Sequence, residues 1–201
     1  MGQYYKPTNL DKGQFLYTHS LGDGLKLLEF GLSSCGTMTA MALLLSDGNG
    51  RGGGDLLLPD KTAKNKKLLA LANEIIGSWA GDRIVIAGDY GDSKKFINRR
   101  KYKAPLLQQV ADNHYNEAYA KASRVNIYAL AEDHFEDISW KVLAVMCIDS
   151  YILETMTEHY NKELGYNNDD GPFVKAFVEA AKVNPEMSEV VASKYQVTSP
   201  E

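Results

Sequence analysis

Apolar positions recur along the chain in several distinct patterns. Near the N-terminus, two aromatic-rich runs, QYYKPTN and QFLYTHS, flank an Asp-Lys-Gly break. That arrangement predicts a β-hairpin. Pro7 cannot donate to a ladder, which predicts that its strand lies at a sheet edge. Further along, Leu68, Leu71, Ala72, Ile75, Ile76 and Trp79 recur at i, i+3, i+4, i+7, i+8 and i+11. The spacing predicts an amphipathic helix from about Thr62 to Ile76, stopped by Gly77.

The remaining segments are shorter or more mixed. Leu25, Leu28 and Leu32 fall at helical spacing within GDGLKLLEFGL. TMTAMALLLS reads as a helix because Met and Ala are better helix than strand formers. Four apolar residues, Ile84 to Ala87, sit between Gly-Asp pairs, the pattern of a buried central strand. From Pro105 a helix face runs through Leu107, Val110, Ala111, His114 and Ala118. RVNIYALAEDHFEDIS reads as a strand, a turn near Glu132–Asp133 and a second short strand. Ser139 is expected to cap a long, largely apolar helix that runs to Gly165, and Pro172 and Pro185 open two more. Hairpins and helices alternate without a regular βαβ repeat. The expectation is an α+β fold over a single domain, 1–201, with a helical C-terminal half and 172–201 as a candidate helical appendage.

Composition narrows the class. Of the 201 residues, 44% are hydrophobic and 24% charged, enough for a sizeable core and too apolar for a disordered chain. The net charge of −4 gives no basic footprint, so nucleic acid is not an expected partner. The basic run Lys94 to Lys103 reads as solvated surface, with a phosphate-contacting patch as its alternative. Cys35 and Cys147 make no CxxC and cannot hold zinc alone, and Cys147 reads as a small core residue. No leader and no apolar run of membrane-spanning length is visible, so a cytoplasmic protein without a cofactor is expected. Twelve tyrosines suit a contact surface.

The most distinctive chemistry lies in DGNGRGGGD, residues 47–55. It contains a literal GxGxxG at Gly48, Gly50 and Gly53. A dinucleotide site needs a helix immediately after the loop, and DLLLPDK follows instead; no GK[ST] makes it a P-loop. Two readings remain. The loop is a connector, or the backbone N–H groups of Gly50, Gly52 and Gly53 form an anion nest to which Arg51 adds a planar fork. Asp55, Asp82 and Arg83 complete that candidate ligand site.

A second candidate is GDYGD. A strand ending in this block resembles the metallophosphoesterases, and Asn113-His114 stands in for their GNH block. The resemblance implies Asp89, Asp92 and His114 as metal ligands. The family's upstream DxH block is absent, the one earlier histidine being His19 in the hairpin, and no GHxH follows. The alternative is that Asp82 and Asp89 serve turn chemistry on either side of the strand. EDHFED, Glu132 to Asp137, reads as a solvated acidic turn, and His159 as a residue favoured by its helix dipole.

Together, MGQYYKP, GDGLKLLEFG, SDGNGRGGGD and GSWAGDRIVIAGDY resemble an uncharacterised family of bacterial and phage proteins. The likeness covers residues 1–92. It implies a phage or mobile-element accessory protein and supplies no mechanism. The expected function is that of a non-catalytic binding protein that engages a host or self protein, for example a counter-defence factor. The alternatives are a binder of a small phosphorylated or nucleotide ligand through the glycine loop, and a metal-dependent phosphoesterase.

Overall fold

The computed structural model describes residues 3–48, 55–91 and 126–195, in which a small mixed sheet of four strands meets eight α-helices. The class is α+β, and the C-terminal half is helical. The strands are β1 (Tyr5–Asn9), β2 (Gln14–Phe15), β3 (Ile84–Gly88) and β4 (Glu136–Asp137), in the order β3-β1-β2-β4. β1 pairs antiparallel with β2 and β3, while β2 and β4 run parallel. The helices are α1 (Leu27–Gly31), α2 (Thr37–Leu45), α3 (Lys66–Ile75), α4 (Ile127–His134), α5 (Ser139–Met146), α6 (Ser150–Gly165), α7 (Pro172–Ala181) and α8 (Pro185–Tyr195). A 3-10 turn spans Thr18–Leu21. None of the described helices is long and apolar enough to cross a membrane.

The expected hairpin forms, but its first strand is interior rather than an edge. Backbone bonds Leu10 N to Arg83 O and Asp89 N to Tyr4 O show that the even-numbered β1 residues face β3. Pro7 therefore faces β2, where Leu16 N donates to its carbonyl and no N–H is there to answer. The β2 ladder is only two residues long and stops at this point. β3, expected to be central, is one of the two outer strands among the described residues, and Ile86 is 37% exposed.

Three helices also depart from expectation. α1 forms, but it buries Phe30, while Leu28 and Leu32 are 73% and 81% exposed. The segment expected to be a strand and turn at residues 127–134 is helix α4. Its cap explains this: Asn126 Oδ1 accepts from Ala129 N, and Ile127, Tyr128, Leu130 and Ala131 share the buried face. The long helix expected from Ser139 to Gly165 is two helices. Asp149 interrupts it by accepting from Tyr151 N and Ile152 N, which makes it the N-cap of α6. At the start of α5, Ser139 is not the cap: its N–H and hydroxyl both donate to Asp137 Oδ1, and its Oγ accepts from Tyr17 N at 2.7 Å.

The rest follows its local signals. α3 begins at Lys66, inside the expected range, and Gly77 ends that segment with φ +70. Gly77 N and Trp79 N donate to the carbonyls of Leu43 and Leu44, which satisfies the open C-terminal end of α2.

Two separate apolar clusters result among the described residues. The larger surrounds α5, whose Val142 to Met146 are all buried, and gathers Cys147 at its end with Leu44, Ile75, Trp79, Tyr160 and Phe177 from other parts of the chain. Tyr160 stacks on Phe177 at 4.4 Å. Phe173, Val174 and Phe177 of α7 and Met187 of α8 belong to this core. The smaller cluster lies between the sheet and α4 and contains Leu10, Phe15, Ala87, Ile127, Tyr128, Ala131 and Phe135.

Candidate functional site

Gly50, Arg51, Gly52 and Gly53 lie outside the described residues, as do Asp92, His114, the helix expected from Pro105 and the basic run at 94–103. Asp55 is half-buried at the start of the stretch leading to α3.

Asp82 and Arg83 are engaged in the hairpin. Arg83 donates from Nε to Asp11 Oδ1 at 2.7 Å and from its backbone N to Asp11 Oδ2 at 2.8 Å, and Nη2 reaches the same carboxylate. Asp82 Oδ2 accepts from Lys12 Nζ at 2.6 Å and from Asn9 Nδ2 at 2.8 Å. Lys12 Nζ also donates to the Ser78 carbonyl. The Arg83 hydrogen bond holds the Asp11 carboxyl below its ordinary value. Burial pushes Asp82 upward, but the bonds from Lys12 and Asn9 outweigh it and leave Asp82 lowered. The network fastens the turn after β1 to the beginning of β3. Asp89 has an edge role of the same kind: its Oδ1 accepts from Tyr4 N at 3.0 Å.

The acidic stretch 132–137 divides its work. Glu136 pairs with Lys141 at 2.7 Å. Glu132 pairs with Lys6 Nζ at 2.5 Å, and Lys6 is only 1% exposed. The Lys6 ammonium lies 4.1, 5.0 and 5.3 Å from the rings of Tyr128, Phe15 and Tyr17, a box of π faces around one cation. Burial lowers the Lys6 pKa despite Glu132, and raises that of Tyr128.

The convergence of side chains best suited to a ligand is elsewhere. A cavity of about 330 Å³ opens between the 3-10 turn and the facing helices α6 and α7. His19, Asp23, His159, Glu163, Asn168 and Phe173 line it. His19 Nδ1 lies 2.7 Å from the Asp23 carbonyl, which can only accept, so Nδ1 carries a proton and in the neutral ring Nε2 has the lone pair. The Asp23 carboxylate accepts from Thr37 N at 2.6 Å, at the positive end of α2, and the carboxylate occupies the space where a Gly36 side chain would be. His159 packs edge-on against Phe173 at 4.5 Å and is covered by the backbone of Gly22, where a Cβ would meet the imidazole at 3.3 Å. Burial lowers the His159 pKa, and the Glu163 carboxylate only partly offsets this. His159 is thus neutral at neutral pH. Glu163 Oε2 accepts from Asn168 Nδ2 at 2.8 Å, and Oε1 stands 3.8 Å from His159 Nε2, too far for a hydrogen bond.

Sequence reasoning left these residues unassembled. It placed His19 in a hairpin and assigned His159 to its helix dipole, whereas His159 sits inside α6 and faces a residue 140 positions earlier across the cavity. No local spacing signals such a pair. Among the described residues no group of three or more His, Cys, Asp and Glu side chains is arranged to hold a metal ion. A wider groove of about 560 Å³ is floored by Leu164, Val174 and Val178, but the charges at its rim, such as Asp170 and Lys175, are solvated and fix no orientation. No family model, no curated protein and no solved structure matches the chain.

Proposed function

We propose that the protein is a binding protein without a catalytic step, and that it takes a small polar ligand in the cavity between the 3-10 turn and helices α6 and α7. The observation that carries this reading is the meeting of His19, Asp23, His159 and Glu163 around one concave space. Its volume of about 330 Å³ falls at the small end of the range for ligand pockets. No hydroxyl, thiol or amine nucleophile lines it among the described residues, which favours binding over group transfer. A phosphorylated ligand suits it poorly, because two acidic residues and no described lysine or arginine line the space.

Thermal unfolding in the presence of a panel of small neutral, cationic and anionic compounds tests the reading. A ligand at 100 times its dissociation constant stabilises the folded state by about 2.7 kcal/mol. One class should raise Tm in the natural chain and lose its effect in His159→Leu. If no compound moves Tm, or the two chains respond alike, the pocket is not a ligand site.

A second reading keeps a protein partner of the kind the N-terminal resemblance implies, and the exposure of Leu28 on α1 and Leu32 at its C-cap favours it. Sedimentation tests the version in which that partner is a second copy of the chain. Association that grows with concentration should disappear in Leu28→Glu/Leu32→Glu, and a chain that stays monomeric throughout excludes self-pairing.

A further inference from the structure

We propose that the ligand of this cavity is a small organic ammonium ion, whose N–H groups are taken up by Asp23, Glu163 and His19. The inference rests on the pocket reading above and adds the chemistry of the occupant.

The lining offers acceptors in excess. The His19 Nδ1–H is engaged by the Asp23 carbonyl at 2.7 Å, and in the neutral imidazole Nε2 is an acceptor. Asp23 receives one backbone N–H, from Thr37, and a carboxylate can accept several. Glu163 receives Asn168 Nδ2 on one oxygen, and its other oxygen is out of hydrogen-bond reach of His159. An ammonium group brings three donors and no acceptor, the complement of this set.

The charge balance agrees. Two acidic residues line the cavity, the half-buried His159 adds no positive charge at neutral pH, and no lysine or arginine lines it among the described residues. The two helix N-termini nearby do not reverse the sign. Asp23 already occupies the start of α2. At the start of α7, Pro172 has no N–H and Gly171 N is spent on the Asn168 carbonyl, so that terminus acts only through the N–H groups of Phe173 and Val174. The ring of Phe173 supplies an apolar wall for the carbon stem of the ligand.

Acid should expel such a ligand. The charged groups that act on His159 are Glu163 and Lys162 on its own helix and Asp23 from the turn, and the titratable His19 lines the same cavity. As pH falls below the ordinary imidazole range near about 6.5, protonation puts positive charge where the ammonium would sit.

Isothermal titration with three probes of equal carbon length decides the matter: n-butylammonium, 1-butanol and butyrate. The expected result is that n-butylammonium binds most tightly. Its affinity should fall about tenfold in Glu163→Gln, a loss near 1.4 kcal/mol, and fall again on acidification. If 1-butanol or butyrate binds as well as the ammonium, or if Glu163→Gln changes nothing, the ligand class is wrong while the pocket reading survives. If none of the three binds a chain of native Tm, the ammonium assignment fails. The pocket reading fails with it only if the wider compound panel is also silent.

Discussion

The Lys6–Glu132 pair is asymmetric. The ammonium is buried under three aromatic rings, while Glu132 is 49% exposed. Glu132→Ala should therefore leave a buried cation without its hydrogen-bonded partner and cost about 1–3 kcal/mol. Lys6→Met fills the same slot with an apolar chain and leaves behind a carboxylate that water can reach, so its cost should be smaller or nil. Urea unfolding midpoints compare the two, and the account is wrong if Lys6→Met is the more damaging change. Little of this was legible in the sequence. Alternating burial marks a half-buried strand, but Lys6 to Asn9 are all buried, so β1 shows no alternation to read. Trp79 and Cys147 were legible, because each sits in an apolar helical pattern, and both are fully buried. Asp82 and Arg83 stood out as charges beside a strand, yet their partners Lys12 and Asp11 are about 70 positions away and were not visible from spacing.

At the scale of elements, terminators prove more readable than interiors. Gly77 and Gly81 both adopt the left-handed conformation, with φ +70 and +81. A Cβ at Gly77 would also lie 2.6 Å from the Ser46 carbonyl, whereas at Gly81 it would meet nothing within 4 Å. Gly81→Ala should cost about 1–2 kcal/mol in backbone strain alone. Gly77→Ala should cost clearly more, because the joint between α2 and α3 has to move. Equal losses of Tm in the two variants would show that the clash is relieved freely. Asp149→Ala should remove two capping bonds and cost about 1 kcal/mol, most visible as fraying of the first turn of α6 by NMR. Gly77, Pro172 and Pro185 punctuate the helices as their types require. Asp149 is a standard capping type too, but it is hidden in a run whose apolar character continues across it. The stretch 127–134 likewise read as a strand and turn, and Asn126 overruled that reading by fixing the first turn of α4.

At the scale of the molecule, the α+β class was readable from the mixture of elements, but the sheet order was not. β2 lies beside β4 through a parallel pairing of two residues, and so short a pairing leaves no period in the sequence. The cavity was hidden for a related reason. It exists only because α6 and α7 fold back onto the 3-10 turn, which brings the two histidines together. The division of the apolar residues into two clusters has a further consequence, for how the molecule comes apart. α5 is held from all sides by the larger cluster, whereas α4 is held by a small one built around a buried cation and by Asn126, whose amide donates to the Asp89 carbonyl at 2.6 Å. The free energy needed to open each region follows the apolar surface that secures it. Amide protons of Ile127–His134 should therefore exchange with deuterium earlier than those of Val142–Cys147, under conditions where the whole chain stays folded. Identical protection in both stretches would mean that the corner beneath α4 and the main core open as one unit. The expected result instead gives the molecule a weaker corner, able to open and reclose while the wall that carries His159 stays in place.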